Sequence, residues 1–299
     1  MIFTFSHTRF TLIPAILACL ILVSCQKQSE LDIPSYIAID TISLDVTADQ
    51  GTASNKIIDA WVYTGNDLEG AFELPANFPV LKSGNTVLHI QPGIKLNGIS
   101  ETRAPYPFYD TISIATDLSR ENVSDLGHLK AKYKTGTVFE WMEDFEDPYL
   151  TLDTTSRSSY KISRVGDQAL SSAFPGEGNS YAGKVVVDSE TKLFECISHN
   201  SFTFSHTLPE EKSYVFLELN YKTNAAFTVG MFIYGTQTVQ QDVLVINPTK
   251  TWNKIYINLT PTISNNTDAS KFKVYFKATK EEGAENSEIY LDNIKLLHF

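Results

Sequence analysis

Cysteine is almost absent: the 299 residues hold three, Cys19, Cys25 and Cys196. Two of them fall within the first 25 residues, so the long remainder carries only Cys196 and has no partner thiol for an internal disulfide. Its stability must come from core burial, for which the chain is long enough. Long apolar runs are equally missing after residue 24. No later segment approaches the 18 or so uncharged apolar residues of a membrane-spanning helix. Cations are scarce, with 24 Lys and Arg against 35 Asp and Glu, for a formal charge of −11. That balance argues against nucleic acid, which is bound by neutralising phosphates, and against docking of a basic patch on anionic lipid. Metal-binding histidine patterns are lacking too. His89, His128, His199, His206 and His298 never form H-x-x-x-H or H-E-x-x-H. There is no G-x-S-x-G elbow, and Cys196, in LFECIS, reads as a buried apolar filler. The acid cluster Glu140, Glu143, Asp144, Glu146 and Asp147 has no second carboxylate site opposite it. Glycoside hydrolysis needs two carboxylates about 5–9 Å apart across a sugar, so the chain is expected to be non-catalytic.

What is present begins at the N-terminus. MIFTFSHTRF, whose one charge is Arg9, leads into TLIPAILACLILV, residues 11–23. That run is shorter than the roughly 20 residues of a spanning helix. A basic start, a short apolar core and then small residues form the layout of a secretory signal. Leu22-Val23-Ser24-Cys25 resembles the lipobox of bacterial lipoproteins. The resemblance implies a signal peptide over 1–24, acyl chains such as palmitate on Cys25, and anchoring to a membrane by buried methylenes worth about 0.8 kcal/mol each. Loss of Arg9 with the signal takes the formal charge from −11 to −12. Residues 25–32 are the expected tether. Gln26-Lys27-Gln28-Ser29-Glu30 resembles export tags of surface lipoproteins in glycan-harvesting Gram-negative bacteria. An outer-membrane lipoprotein is therefore expected, on the cell surface or on the periplasmic face.

The mature chain reads as all-β. Its frequent Tyr, Phe, Val, Ile and Thr suit a pleated, half-buried surface, and no segment shows a capped helical repeat. Strands are expected at SYIAIDTISLDV (35–46), on both sides of Gly65-Asn66-Asp67, at TVLHIQPGI (86–94, ending in a Pro-Gly turn), at DTISIATDL (110–118) and at LGHLKAKYKT (126–135). That spacing implies an immunoglobulin-like sandwich over 33–135. Residues 62–98 weakly resemble the small envelope β-domains called PEGA domains. From residue 136 the pattern changes. WMEDFEDPYL (141–150) resembles the opening of jelly-roll domains of the carbohydrate-binding-module and galactose-binding type, and SEIYLDNIKLL (287–297) resembles their closing strand. The expectation is two tandem β-sandwiches, immunoglobulin-like and then jelly roll (136–299), after a lipoprotein signal peptide.

Period-2 parity places Ile255, Ile257 and Leu259 on one face of their strand and Trp252, Lys254 and Tyr256 on the other. Val274, Phe276 and Ala278 likewise oppose Lys273, Tyr275 and Lys277. With the aliphatic faces inward, Trp252, Tyr256 and Tyr275 become candidates for an outward aromatic platform that stacks on sugar rings. Along EIYLDNIKLL the apolar parity breaks at Asp292-Asn293, which predicts a β-bulge. Related jelly rolls often hold a structural calcium beside such a strand. Carried over, that resemblance implies Glu146, Asp144 and Asp292 as ligands, although calcium takes six to eight oxygens. Asp40-Thr41-Ile42, Asp110-Thr111-Ile112 and Asp153-Thr154-Thr155 resemble O-glycosylation acceptor phrases. The expected role is a non-catalytic envelope lipoprotein that binds glycan or another envelope component through its C-terminal sandwich. The alternative is an accessory or structural subunit of an outer-membrane protein assembly.

Overall fold

The computed structural model describes residues 33–166, 179–205 and 213–299. The signal segment 1–24, the tether 25–32 with Cys25, and His206 lie outside the described residues. SYIAIDTISLDV folds as two strands, β1 (Ser35–Ile39) and β2 (Thr41–Asp45). The break at Asp40 follows from the pattern itself: Ile37 and Ile39 are buried at odd positions, Ile42 and Leu44 at even ones. A one-residue slip reverses every side chain, so the chain changes sheet there.

β3 (Asp59–Thr64) and β4 (Asp67–Glu73) form the expected hairpin, with Gly65 at φ +61° in its turn. β5 (Ala76–Val80), β6 (Gly84–Lys95), β7 (Arg103–Pro105), β8 (Ile112–Leu118), β9 (Val123–Asp125) and β10 (His128–Lys132) follow. One sheet runs β4-β3-β6-β7, with β8 also paired to β6. The opposing layer holds β5-β1-β9 and the pair β10-β2. Ile37, Ile42, Val62, Phe78, Leu88 and Ile90 from both layers join one buried cluster. Pro92-Gly93, expected as a turn, lies inside β6 instead. The Pro92 carbonyl accepts from Tyr106 N at 2.9 Å. A Cβ on Gly93 would sit 2.8 Å from Asp59 and from the Trp61 ring, so glycine there permits close packing rather than a reversal.

The remaining strands are β11 (Val138–Glu143), β12 (Leu152–Thr154), β13 (Ser163–Gly166), β14 (Tyr181–Val187), β15 (Phe194–Ser198), β16 (Val215–Thr223), β17 (Phe227–Tyr234), β18 (Thr238–Ile246), β19 (Thr249–Asn258), β20 (Lys271–Ala278) and β21 (Ser287–His298). They form a six-stranded sheet, β13-β14-β21-β16-β19 with β11 on β21, facing a five-stranded sheet, β12-β15-β20-β17-β18. Leu217, Leu219, Ile257 and Leu291 from the first sheet and Val229, Met231, Val274 and Phe276 from the second meet in one core. The chain is thus all-β with sandwich layers. Its one α-helix among the described residues is Thr260–Ser264. The expected bulge is present. Glu218 and Asn220 face Lys295 and Asp292, an extra residue on β21, and Asn293 has φ +49°. Ile289, Leu291, Ile294 and Leu296 thereby all point into the core, each fully buried.

Candidate functional site

The outer face of the six-stranded sheet is covered along β16, β19 and β21. Phe216, Tyr256 and Leu297 project from it into the core of the first sandwich. Tyr256 is 1 % exposed. Its hydroxyl accepts from Lys56 N at 2.9 Å and lies 3.1 Å from the Tyr109 hydroxyl. The expectation of Tyr256 as an exposed sugar platform therefore fails. Parity sends it away from the jelly-roll core, but a second sandwich occupies that side.

The same seam buries charge. Glu218, fully buried, accepts from the hydroxyls of Tyr106 at 2.8 Å and Tyr133 at 3.1 Å. Lys254 Nζ stands 2.8 Å from Glu218 Oε2. That distance makes a close ion pair inside the seam. Lys295, 2 % exposed, donates to the Thr52 carbonyl at 2.7 Å. The Thr52 hydroxyl in turn donates to Asn293 Oδ1 at 2.7 Å. Gly51, at φ +71°, turns the connecting loop there, and a Cβ on it would come within 3.2 Å of Lys295. Burial and the Lys254 charge depress the Lys295 ammonium to about 7.

Tyr275 is correctly placed on the outer face of the five-stranded sheet, but it too is fully buried rather than exposed. Its ring lies over Gly230, where a Cβ would come within 2.3 Å of it, and 5.2 Å from the Phe232 ring. Its hydroxyl donates to Asp242. The Lys277 ammonium reaches both Asp242 oxygens, at 2.6 and 2.9 Å. These hydrogen bonds, Lys277 first and then Tyr275, hold Asp242 below the usual carboxylate range. Beside it Glu195, itself fully buried, accepts from Arg157 Nη2 at 2.5 Å, Gln240 Nε2 at 2.7 Å and Thr155 Oγ1 at 2.9 Å. Burial pushes Glu195 up, but the bonds from Arg157, Gln240 and Thr155 outweigh it and keep the carboxyl low. Arg157 also donates to Gln240 Oε1 at 2.5 Å. Three strands, β15, β18 and β20, and the segment after β12 thus contribute to one ordered array. Phe232 and Tyr234 flank it, their rings 6.5 Å apart. Charge-assisted bonds of this kind are roughly twice as strong as neutral ones, so the array is fixed before any ligand arrives.

Trp252 stands apart from both tyrosines. It is partly exposed and meets the Tyr290 ring edge-on at 6.0 Å, beside Lys184 and Lys222. Trp252, Tyr256 and Tyr275 therefore form no common surface. The carboxylates considered for calcium accept hydrogen bonds from backbone and from Asn179. Glu146 Oε1 accepts from Ser180 N at 2.6 Å and Tyr181 N at 2.9 Å, and Asp144 Oδ1 accepts from Glu146 N at 3.1 Å. Asp292, fully buried, accepts from Asn293 N at 2.7 Å and Asn179 Nδ2 at 3.4 Å. Among the described residues no three His, Cys, Asp or Glu side chains gather as a metal-holding group. Cys196 is buried, and burial pushes its thiol far up.

No protein-family model matches the chain, and no curated protein matches it. Among solved structures it is similar to the family 11 carbohydrate-binding module of the cellulosomal cellulase Lic26A-Cel5E of Clostridium thermocellum. Identity is 17 % and TM-score 0.36, over 56 % of this chain and 96 % of the module. The family 11 module from Clostridium thermocellum in complex with a β-1,3-1,4-mixed-linked tetrasaccharide matches at 15 % identity and TM-score 0.34, over 52 % and 93 %. A family 29 carbohydrate-binding module matches at 10 % and 0.32, over 53 % and 87 %. At these identities and scores the likeness bears on no ligand and on no residue.

Proposed function

We propose that this protein is a non-catalytic binding lipoprotein. In this reading the chain is anchored at the outer membrane through acyl chains on Cys25. An immunoglobulin-like sandwich, 33–135, spaces a jelly roll, 136–299, whose five-stranded sheet takes glycan on its outer face. The observation that carries the reading is the ordered array of Arg157, Glu195, Gln240, Asp242, Tyr275 and Lys277 beside the Phe232 and Tyr234 rings. Partly exposed rings offer faces for sugar C–H groups, and the remaining donors and acceptors of Gln240, Asp242 and Lys277 suit sugar hydroxyls. Both carboxylates are held ionised by cations and donors. They accept hydrogen bonds well and are poor proton donors, which favours binding over hydrolysis.

The test is a glycan array on the full chain, followed by titration of the strongest glycan against Phe232→Ala and Trp252→Ala. Phe232→Ala is expected to weaken binding about tenfold, roughly 1.4 kcal/mol, while Trp252→Ala leaves it unchanged. A glycan bound equally by Phe232→Ala, or no glycan bound at all, removes the site. The anchor is tested apart: metabolic labelling with a fatty-acid probe is expected in the wild type and lost in Cys25→Ser.

A further inference from the structure

The chain is acidic throughout its composition, yet cations gather at one place where the two sandwiches meet. Lys56, Lys95, Tyr221, Asn253, Lys254 and Tyr256 line a crevice of about 60 Å³. Lys254 and Tyr256 line it from the covered sheet, both buried. Lys254 is balanced by Glu218. Among the described residues neither Lys56 nor Lys95 forms a salt bridge of its own, unlike Lys254 with Glu218. Among the described residues the Lys56 ammonium donates to the neutral Asn253 Oδ1. Asp59, whose carboxyl feels the Lys95 charge, is already paired with Arg103 Nη1 at 2.6 Å. Burial, and then the charge of Lys95, depress the Lys56 ammonium, as two cations facing one small space without an anion would do. The Tyr221 hydroxyl accepts from Asn253 Nδ2 at 2.8 Å, which leaves its own proton to give.

We propose that this crevice holds a single oxyanion, a carboxylate or sulfate group, clamped between Lys56 and Lys95 with the Tyr221 hydroxyl as a third donor. The volume is several times the roughly 10–15 Å³ that one water needs. It is far below the roughly 300 Å³ at which pockets for whole small molecules begin. Room of that size suits one charged group, either free or at the end of an acidic sugar whose ring stays outside. The site is independent of the outer face of the five-stranded sheet. An oxyanion there would tie the first sandwich, through Lys56 and Lys95, to the second, through Tyr221.

The test is calorimetric titration of the full chain with sodium sulfate and, separately, sodium glucuronate, each against chloride at equal ionic strength. Saturable one-to-one binding of either is expected, weakened about tenfold or more in Lys95→Met and in Lys56→Met, and unchanged in Phe232→Ala. Sulfate binding alone assigns the site to a free ion, and glucuronate binding to an acidic sugar; both support the clamp. Lys95→Met removes a repulsion, so its Tm is expected to equal or exceed that of the wild type, which excludes misfolding as the cause. Absence of saturable binding by both anions overturns the proposal, as does equal binding by both lysine variants.

Discussion

Raising the pH above neutrality should stabilise this protein through Lys295. The side chain is enclosed by the Thr52 carbonyl, the Tyr133 and Phe139 rings at 5.4 and 5.9 Å, and three charged groups, Lys254, Glu218 and Asp144. Its ammonium is held at about 7 in the fold, against about 10.4 in an unfolded chain. Between those values the unfolded state carries a proton that the folded state has shed, so stability rises with pH, by at most about 1.4 kcal/mol per unit. Integrated from pH 7.5 to 9.5 this lysine contributes about 2.5 kcal/mol. Two sets of groups work in the other direction. Cys196, pushed up by burial, costs stability above about pH 8.5, where an unfolded thiol ionises. Tyr106, Tyr109, Tyr133 and Tyr256, also raised by burial, do so above about pH 10. The clean quantity is therefore the difference between wild type and Lys295→Met. Urea unfolding at pH 7.5, 8.5 and 9.5 should show that difference moving by about 2.5 kcal/mol in favour of the wild type as pH rises. Parallel pH profiles for the two proteins would refute the reasoning, because they would mean that Lys295 keeps an ordinary ammonium at the seam.

Glu218→Gln should destabilise by about 3–5 kcal/mol, because it leaves the Lys254 and Lys295 ammonium groups in the seam with no buried anion; adding Lys295→Met should recover part of that loss, and additive urea-melt penalties would contradict a shared charge cluster. Native Cys196 should resist a thiol reagent until denaturant is added, as expected for a buried thiol held protonated; rapid labelling of the folded chain would show that the second core opens. A chelator should leave Tm unmoved, since Glu146, Asp144 and Asp292 are taken by backbone and Asn179 donors; a fall in Tm reversed by calcium would restore those three as ligands.

Parity made the jelly-roll core legible from sequence. Ile255, Ile257 and Leu259, and Val274, Phe276 and Ala278, all face inward as their spacing requires. The break at Asp292-Asn293 located a bulge that the backbone confirms with a positive φ. The sheet change at Asp40 was equally present in the sequence, as the shift from odd to even burial, but reading 35–46 as one strand hid it. The array around Glu195 left a fainter trace. In LFECIS, Glu195 alternates with the inward Cys196, so its outward face was available; its partners Thr155, Arg157 and Gln240 come from other segments, and it takes the β15–β20, β17–β20 and β17–β18 pairings to bring Gln240 beside it.

Tyr256 and Tyr275 show where parity stops. Alternation tells which side of a sheet a residue takes; it says nothing about whether that side meets water. β16 carries the sign that could have warned of a covered face. In VFLELNYKT, Leu217, Leu219 and Tyr221 fill the inward positions, yet Phe216 opens the outward set, followed by Glu218 and Asn220. Tyr256 and Leu297 repeat that mixture on β19 and β21, alongside Lys254 and Lys295. A face that interleaves large apolar rings with single charges of both signs is unlike a solvated surface, where charges would outnumber rings, and unlike a core, where they would be missing. It has the composition of an interface in which each charge must find its complement across the seam. Here Glu218 finds it in Tyr106 and Tyr133, with Lys254 of its own sheet beside it, and Lys295 finds it in the Thr52 carbonyl. Such clusters confer register rather than net stability, so the seam selects one docking of the two sandwiches. If so, replacing Glu218, Lys254 and Lys295 together by Leu or Met should preserve or raise Tm while loosening the mutual orientation of the sandwiches, seen as a broader distance distribution between spin labels placed on β4 and β18. An unchanged distribution would mean that packing around Phe216, Tyr256 and Leu297 is enough to set the docking.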